Sequence, residues 1–125
     1  MQQLLLVFLG GGLGSVLRYL LGMHLNKETI PYGTLTANIL GSFLIGLLMG
    51  FHFKNAAQFF TENQITFLIV GVLGGFTTYS AFMYETFQFL IHEQYFRFVG
   101  YSLLSLILGF TAVAIGFSLG KILPF

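Results

Sequence analysis

The sequence predicts an all-α integral membrane protein with four membrane-spanning helices, the third of which is interrupted near its centre. Of the 125 residues, 56% are hydrophobic and only 7% are charged, whereas soluble domains carry about 25% charged residues. The mean hydropathy is +0.87. The apolar residues fall into four long runs joined by short polar segments, and each run has the roughly twenty residues that a helix needs to cross the hydrocarbon core.

The four predicted spans form a single domain and cover residues 4–25, 32–53, 65–91 and 95–122. The first run has no basic segment before it and continues past Gly14 without a polar cleavage region, so we interpret it as a span and not as a secretory signal. Pro31 precedes the second span at a position that suits a helix start. Lys54 closes the second span, and residues 92–94 separate the third from the fourth.

Each predicted span contains two glycines four positions apart. These pairs are Gly10/Gly14, Gly46/Gly50, Gly71/Gly75 and Gly116/Gly120. Small residues one helical turn apart allow helix backbones to approach closely in lipid. One such pair also arises by chance in a glycine-rich chain, but four pairs predict a tightly packed bundle.

The third span is interrupted at residues 71–85, whose sequence is GVLGGFTTYSAFMYE. Gly costs ~1 kcal/mol in a helix interior relative to Ala, and Thr and Ser side chains compete for backbone hydrogen bonds. Because lipid cannot satisfy freed backbone groups, this segment is expected to lie inside protein. Interrupted membrane helices often carry ion or substrate sites, which predicts that the carbonyls and hydroxyls here bind a ligand.

Polar and ionisable groups are rare inside the predicted spans, and such groups are usually functional. Arg18 either extends to the membrane interface or attracts anions into a vestibule. Asn38 either links two helices by a hydrogen bond or turns a donor toward a pore, and Thr34 lies on the same helix face. Glu85 is either hydrated near the interface, or it orders the break or handles protons.

Aromatic and hydroxyl side chains supply the remaining candidates. Tyr79 and Phe82 share a face and either pack as ordinary aromatics or solvate an anion with their positively polarised ring edges. Tyr101, Ser105 and Gly109 share one face of the fourth span. A serine at such a place often bonds only the carbonyl four residues earlier.

Enzyme chemistry has little support in this sequence. The chain contains neither Asp nor Cys, so it has no Ser/His/Asp triad, thiol nucleophile or disulfide, and its three His show no metal-ligand spacing. The net charge of +1 gives no indication of nucleic-acid binding. We therefore expect neither an enzyme nor a nucleic-acid partner.

The basic residues are balanced between the two ends of the predicted bundle. Lys54 and Lys121 lie on the side of both termini, whereas Lys27, Arg97 and the within-span Arg18 belong to the other side. An excess of Lys and Arg on one side normally sets the orientation of a membrane protein, and this chain has no clear excess. Either the lipid or the insertion machinery therefore determines the orientation, or the protein inserts in both orientations and the two forms pair antiparallel. Four short helices are few for enclosing a pathway, which favours an oligomer.

Three motifs resemble the Fluc (CrcB) family of fluoride ion channels, and the resemblance extends over essentially the whole chain. They are GGxGxxxRY at residues 11–19, GTLxxNxxGSF at residues 33–43 and GGFTTYSxFxxE at residues 74–85. The second and third motifs, in this order and in so short a chain, are highly specific.

The resemblance implies a passive, fluoride-selective channel that exports fluoride from the bacterial cytoplasm across the inner membrane. It also implies an antiparallel, dual-topology homodimer with two pores and a sodium ion at its centre, held by the backbone carbonyls of Gly74 and Thr77. Arg18 matches a vestibule position. The pore-related residues that it implies are Thr34, Asn38, Tyr79, Phe82, Glu85, Tyr101 and Ser105.

Two positions depart from the family pattern. Tyr79 stands where the pattern has Phe, so a hydroxyl is added to the ring, and Gly109 stands where a hydroxyl residue can occur. Two alternatives stay open from the sequence. A small, dual-topology, proton-coupled multidrug exporter would rely on a Glu in its first span, and this first span has no acid. The other alternative is an accessory membrane subunit that transports nothing.

Overall fold

A computed structural model of the chain describes residues 1–27, 29–54 and 60–124. Within these ranges the regular structure is helical, apart from one antiparallel β-bridge between Asn26 and Pro31. Four helical stretches are long and apolar enough to cross a membrane, and they are Gln2–Leu25, Tyr32–Lys54, Glu62–Ile91 and Tyr95–Ile122. The predicted all-helical architecture with four spans is therefore confirmed.

The third crossing consists of several helical pieces, whereas the other three are single helices. The helices in chain order are α1 (Gln2–Leu25), α2 (Tyr32–Lys54), α3 (Glu62–Ile65), a π-helical segment (Thr66–Leu73), α4 (Gly74–Phe76), α5 (Tyr79–Ile91) and α6 (Tyr95–Ile122). The third crossing begins with a capping box, in which the Thr61 side chain accepts the Gln64 N–H and the Gln64 side chain accepts the Thr61 N–H.

The predicted break lies between α4 and α5. Thr77 (φ −81°, ψ 154°) and Thr78 (φ −149°, ψ 119°) have extended backbones, which separates the two helices. The Thr78 hydroxyl then caps α5 by accepting the N–H of Ala81 at 3.2 Å. The break is thus confirmed. The π-helical segment before it was not predicted, and such segments occur frequently at functional sites.

The glycine pairs lie where two pairs of helices approach most closely. A Cβ added to Gly50 on α2 would lie 3.0 Å from the Gly120 Cα on α6, and the reverse distance is 2.9 Å. A Cβ added to Gly10 on α1 would lie 3.0 Å from the Gly71 Cα of the π-helical segment. A backbone carbonyl oxygen of the facing element would lie only 2.3 Å from a Cβ at Gly50 or Gly120, and only 2.6 Å from a Cβ at Gly10. Real Cβ atoms essentially never come closer than 3.0 Å to another atom, so these contacts require glycine and confirm the tight packing predicted for the bundle.

Candidate functional site

The Asn38 side chain joins α2 to the break. Its Nδ2 donates to the Thr78 carbonyl at 3.0 Å, and its Oδ1 accepts the Thr78 N–H at 2.7 Å. The carboxamide therefore pairs with both backbone groups of one residue, as a neighbouring β-strand would. A carboxamide nitrogen carries two hydrogens, so one donor of Asn38 is left for another acceptor.

Glu85, two turns further along the third crossing, accepts hydrogen bonds from two different helices. The Thr34 hydroxyl on α2 donates to Glu85 Oε1 at 2.5 Å, and the Tyr101 hydroxyl on α6 donates to Oε2 at 2.8 Å. Thr34 is 6% exposed and Tyr101 is 5% exposed. The three side chains thus form a polar link between α2, α5 and α6, in which Thr34 and Tyr101 are buried and Glu85 is partly buried.

A series of aromatic rings runs from the break toward this polar link. The centroids of Tyr79 and Phe82 are 6.3 Å apart with planes at 52°, and those of Phe82 and Tyr101 are 5.5 Å apart at 49°. Phe89 meets Tyr101 edge to face at 5.8 Å. Tyr79 is 74% exposed whereas Phe82 is 6% exposed, so the series begins at the surface of the single chain and continues into its core.

A cleft of ≈ 560 Å³ lies beside the break and collects most of the predicted residues. Among the residues that line it are Asn38, Gly74, Thr77, Tyr79, Phe82 and Ser105. The Ser105 hydroxyl oxygen is buried and has no hydrogen-bond partner among the described residues. The cleft therefore combines amide, hydroxyl, backbone and aromatic-edge groups, which are the groups that can replace water around an anion.

Arg18 lies in a second cavity, of ≈ 360 Å³, which also contains Thr34 and Glu85. Its Nε donates to the Gly75 carbonyl at 3.1 Å, so the guanidinium group is turned toward the break. The structure thus divides the predicted residues between two cavities. Tyr101 connects the two sets, because its hydroxyl bonds Glu85 while its ring packs on Phe82.

The two carbonyls predicted to hold a cation, those of Gly74 and Thr77, have lost their usual helical donors. In a continuous α-helix each carbonyl accepts the N–H four residues later, which would be Thr78 for the first and Ala81 for the second. The Thr78 N–H donates to Asn38 instead, and the Ala81 N–H donates to the Thr78 hydroxyl. Hard cations prefer oxygen ligands, so these carbonyls fit a sodium ion chemically.

Several contributors to the site were not predicted from the sequence. Ser15 donates to the Gly75 carbonyl at 3.5 Å beside Arg18, and the buried Thr86 hydroxyl donates to the Phe82 carbonyl at 2.7 Å. Gly41 faces the Thr77 side chain, whose methyl group leaves no room for a Cβ. Gly41 lies three positions after Asn38 in the second motif, and that spacing was the one available signal.

An all-helical chain with four spans, an interrupted third crossing and polar groups gathered at the interruption has the features of small membrane channels and transporters. The sequence model of one protein family, described as CrcB-like protein, Camphor Resistance (CrcB), matches residues 5–117. The chain belongs to this family, which confirms the resemblance found in its motifs.

Three relatives illustrate the match, and each is named Fluoride-specific ion channel FluC. The relative from Gloeothece citriformis is 43% identical over 125 residues, which cover 97% of this chain and 98% of the relative. The relative from Leptospira interrogans is 43% identical over 111 residues, 86% of each chain. The relative from Helicobacter pylori is 41% identical over 118 residues, 90% of this chain and 88% of the relative.

These comparisons bear on the alternatives that the sequence left open. The shared name denotes an ion channel, which is not an enzyme and is neither a multidrug exporter nor an accessory subunit. With its four apolar helices, the chain is a multi-pass bacterial membrane protein.

Proposed function

We propose that this chain is a fluoride-selective, passive ion channel that exports fluoride from the bacterial cytoplasm across the inner membrane and so lowers fluoride toxicity. The observation that carries the proposal is the cleft beside the broken third crossing, because it places donors and ring edges together in a chain whose relatives are named fluoride channels. No catalytic step is involved.

The chemistry of the cleft suits a small, strongly hydrated anion. Fluoride can leave water only if other donors replace its hydration shell, and the second Nδ2 hydrogen of Asn38 and the Ser105 hydroxyl are available for this. The ring edges of Tyr79 and Phe82 add positive potential without a full charge. Chloride is larger, and a narrow path with matched donors rejects it.

The second cavity supplies an entrance for the anion. Arg18 is the cation there, and its guanidinium group raises the local concentration of anions as charged clefts generally do. Thr34, Glu85 and Tyr101 then connect this entrance to the aromatic series by hydrogen bonds. In this proposal Glu85 organises the donors of Thr34 and Tyr101 around the pathway.

The working unit that we propose is an antiparallel homodimer with dual topology. Two features support it. The cleft is open on one side and Tyr79 at its rim is 74% exposed, so a second copy would complete the wall. The basic residues are balanced between the two ends of the bundle, so loop charge does not favour one orientation.

A sodium ion at the dimer centre belongs to the same proposal. Gly74 and Thr77 would hold it through their carbonyl oxygens, contributed once by each subunit. The ion would supply positive charge and fix the broken segments of the two copies together, and oxygen-only ligation suits such a hard cation. The loss of the helical donors to these carbonyls is the structural feature that supports this role.

Efflux from reconstituted vesicles tests the channel. Purified protein in liposomes loaded with fluoride should release it down its gradient, as read by a fluoride electrode, while chloride-loaded liposomes retain chloride. Phe82→Ala should slow the efflux, because it removes a ring edge from the cleft, without loss of folded protein. Chloride efflux as fast as that of fluoride would refute the selectivity.

A separate measurement tests the dimer. Two single-cysteine variants, Lys27→Cys and Lys121→Cys, are made separately and mixed, and their cysteines lie at opposite ends of the bundle. A short bifunctional thiol reagent should link a position-27 chain to a position-121 chain, and should not link two chains through the same position. Links between identical positions only would show a parallel arrangement.

A further inference from the structure

The backbone carbonyls around the break differ in what binds them, and the difference follows a pattern. The Leu73 carbonyl accepts both the N–H of Thr77 at 3.0 Å and its hydroxyl at 2.9 Å. The Gly75 carbonyl accepts hydrogen bonds from the side chains of Arg18 and Ser15, and the Thr78 carbonyl accepts one from the Asn38 side chain. The carbonyls at positions 73, 75 and 78 are thus bound by protein donors.

The carbonyls of Gly74 and Thr77 differ because the donors that an α-helix would direct to them are bound elsewhere. For Gly74 the captured donor is the Thr78 N–H, and the side chain that captures it is Asn38, at 2.7 Å. Asn38 belongs to α2, 40 positions away in sequence. A residue outside the third crossing therefore decides whether the Gly74 carbonyl is closed by its own helix.

We propose that Asn38 is a positioning residue for the cation at the break. By binding both backbone groups of Thr78, it holds this residue extended and keeps its N–H from closing on the Gly74 carbonyl. This inference rests on the proposed function and its sodium site, and it gives Asn38 a role beyond that of a donor to the anion.

The two roles of Asn38 lead to different results when its amide is removed. A donor to the anion affects fluoride movement and leaves the affinity for the cation unchanged. A positioning residue affects cation affinity, because without it the Thr78 N–H competes with the cation for the Gly74 carbonyl. The cation dependence of folding stability separates the roles, since a ligand that binds only the folded protein stabilises it in proportion to its occupancy.

The experiment measures the melting temperature of the purified full chain in detergent without fluoride. Sodium chloride is titrated against N-methylglucamine chloride at constant ionic strength. The wild-type melting temperature should rise with sodium and give a midpoint. Asn38→Ala should move that midpoint to higher sodium by on the order of tenfold, because two ordinary hydrogen bonds are lost together. If the cavity left by Asn38→Ala prevents folding, Asn38→Leu, which keeps the side-chain bulk, should give the same shift of the midpoint.

Asn26→Ala is the matched control. The Asn26 side chain also accepts a backbone N–H, that of Gly33, at the same distance of 2.7 Å. Asn26 follows α1 and its bond holds the start of α2, and among the described residues no hydrogen bond joins it to the break. This variant should lower stability at every sodium concentration and leave the midpoint in place. If the effect came only from a general weakening of α2, the sodium midpoint would shift equally in the Asn38 and Asn26 variants.

The outcomes separate this inference from the proposed function. Unchanged midpoints in both Asn38 variants would overturn the inference and leave Asn38 as an anion donor, and a wild-type protein insensitive to sodium would overturn it together with the sodium site. A shifted midpoint in a protein that moves no fluoride in liposomes would support the inference and refute the channel.

Discussion

Tyr101→Phe tests the polar link around Glu85 with the removal of a single oxygen atom. The Tyr101 hydroxyl donates to Glu85 Oε2 at 2.8 Å, and the tyrosine is only 5% exposed. The ring contacts with Phe82 and Phe89 persist in phenylalanine. The change therefore removes a hydrogen bond to one oxygen of a partly buried carboxyl group, and bonds to such groups contribute ~1–3 kcal/mol.

Denaturant unfolding of the purified protein in detergent measures this cost as a lower free energy of unfolding. Tyr95→Phe is the matched control, because it removes the same atom from the first residue of the same helix and Tyr95 is 60% exposed. Substitutions at exposed positions usually change the free energy of unfolding by less than ~0.5 kcal/mol, so Tyr95→Phe should have little effect.

A double-mutant cycle extends the test to Thr34. Thr34→Val keeps the side-chain shape and removes the hydroxyl that donates to the other oxygen of Glu85 at 2.5 Å. Since both donors act on one carboxyl group, the two losses should not add, and residues in one network couple by ~0.5–3 kcal/mol. A Tyr101→Phe cost equal to that of Tyr95→Phe, or strictly additive losses in the cycle, would refute the idea that Glu85 organises these helices.

Three further substitutions test the packing, the entrance and the aromatic series. Gly120→Ala should lower the free energy of unfolding by roughly 1–3 kcal/mol, the range for overpacking. Gly100→Ala is the control and should not lower it, because the space around Gly100 is open. Equal losses of stability in the two variants would contradict the close approach of α2 and α6. Arg18→Gln should slow fluoride efflux more than Arg18→Lys, which keeps the charge, and equal losses would assign the effect to the hydrogen bond on the break. Tyr79→Phe should keep fluoride efflux at an altered rate, because the ring 6.3 Å from its aromatic neighbour is retained; abolished efflux would show that the hydroxyl is required.

The sequence was sufficient for the features that depend on local chemistry. Four apolar runs of spanning length predict four crossings because the bilayer sets the length of a helix. The break was predictable because Gly74 and Gly75 followed by two threonines form a poor helix. The glycine pairs predicted close packing, although which helices they would join, α2 with α6 and α1 with the third crossing, depended on the fold.

The features that depend on contacts between residues far apart in the chain could not be predicted from the sequence. Asn38 and Thr78 are 40 positions apart, and no local pattern shows that the carboxamide pairs with that backbone. Arg18 carries a side chain long enough to reach either the membrane interface or the protein interior, and the structure turns its Nε toward Gly75. The π-helical segment Thr66–Leu73 arises within a largely apolar run, whose residues do not distinguish a π-helical from an α-helical hydrogen-bond pattern.

The contacts of α2 with α5 explain how the two cavities are connected. Thr34 and Asn38 lie one turn apart on α2 and bond Glu85 and Thr78 respectively. The helix α2 therefore holds α5 at its N-cap and again two turns later. Two bonds at separate points fix both the rotation and the axial position of α5. A displacement of α5 that opened the cleft would therefore strain the Glu85 bonds in the second cavity. A ligand that binds better to one position of α5, either at the entrance or at the break, is thus expected to affect the other place as well.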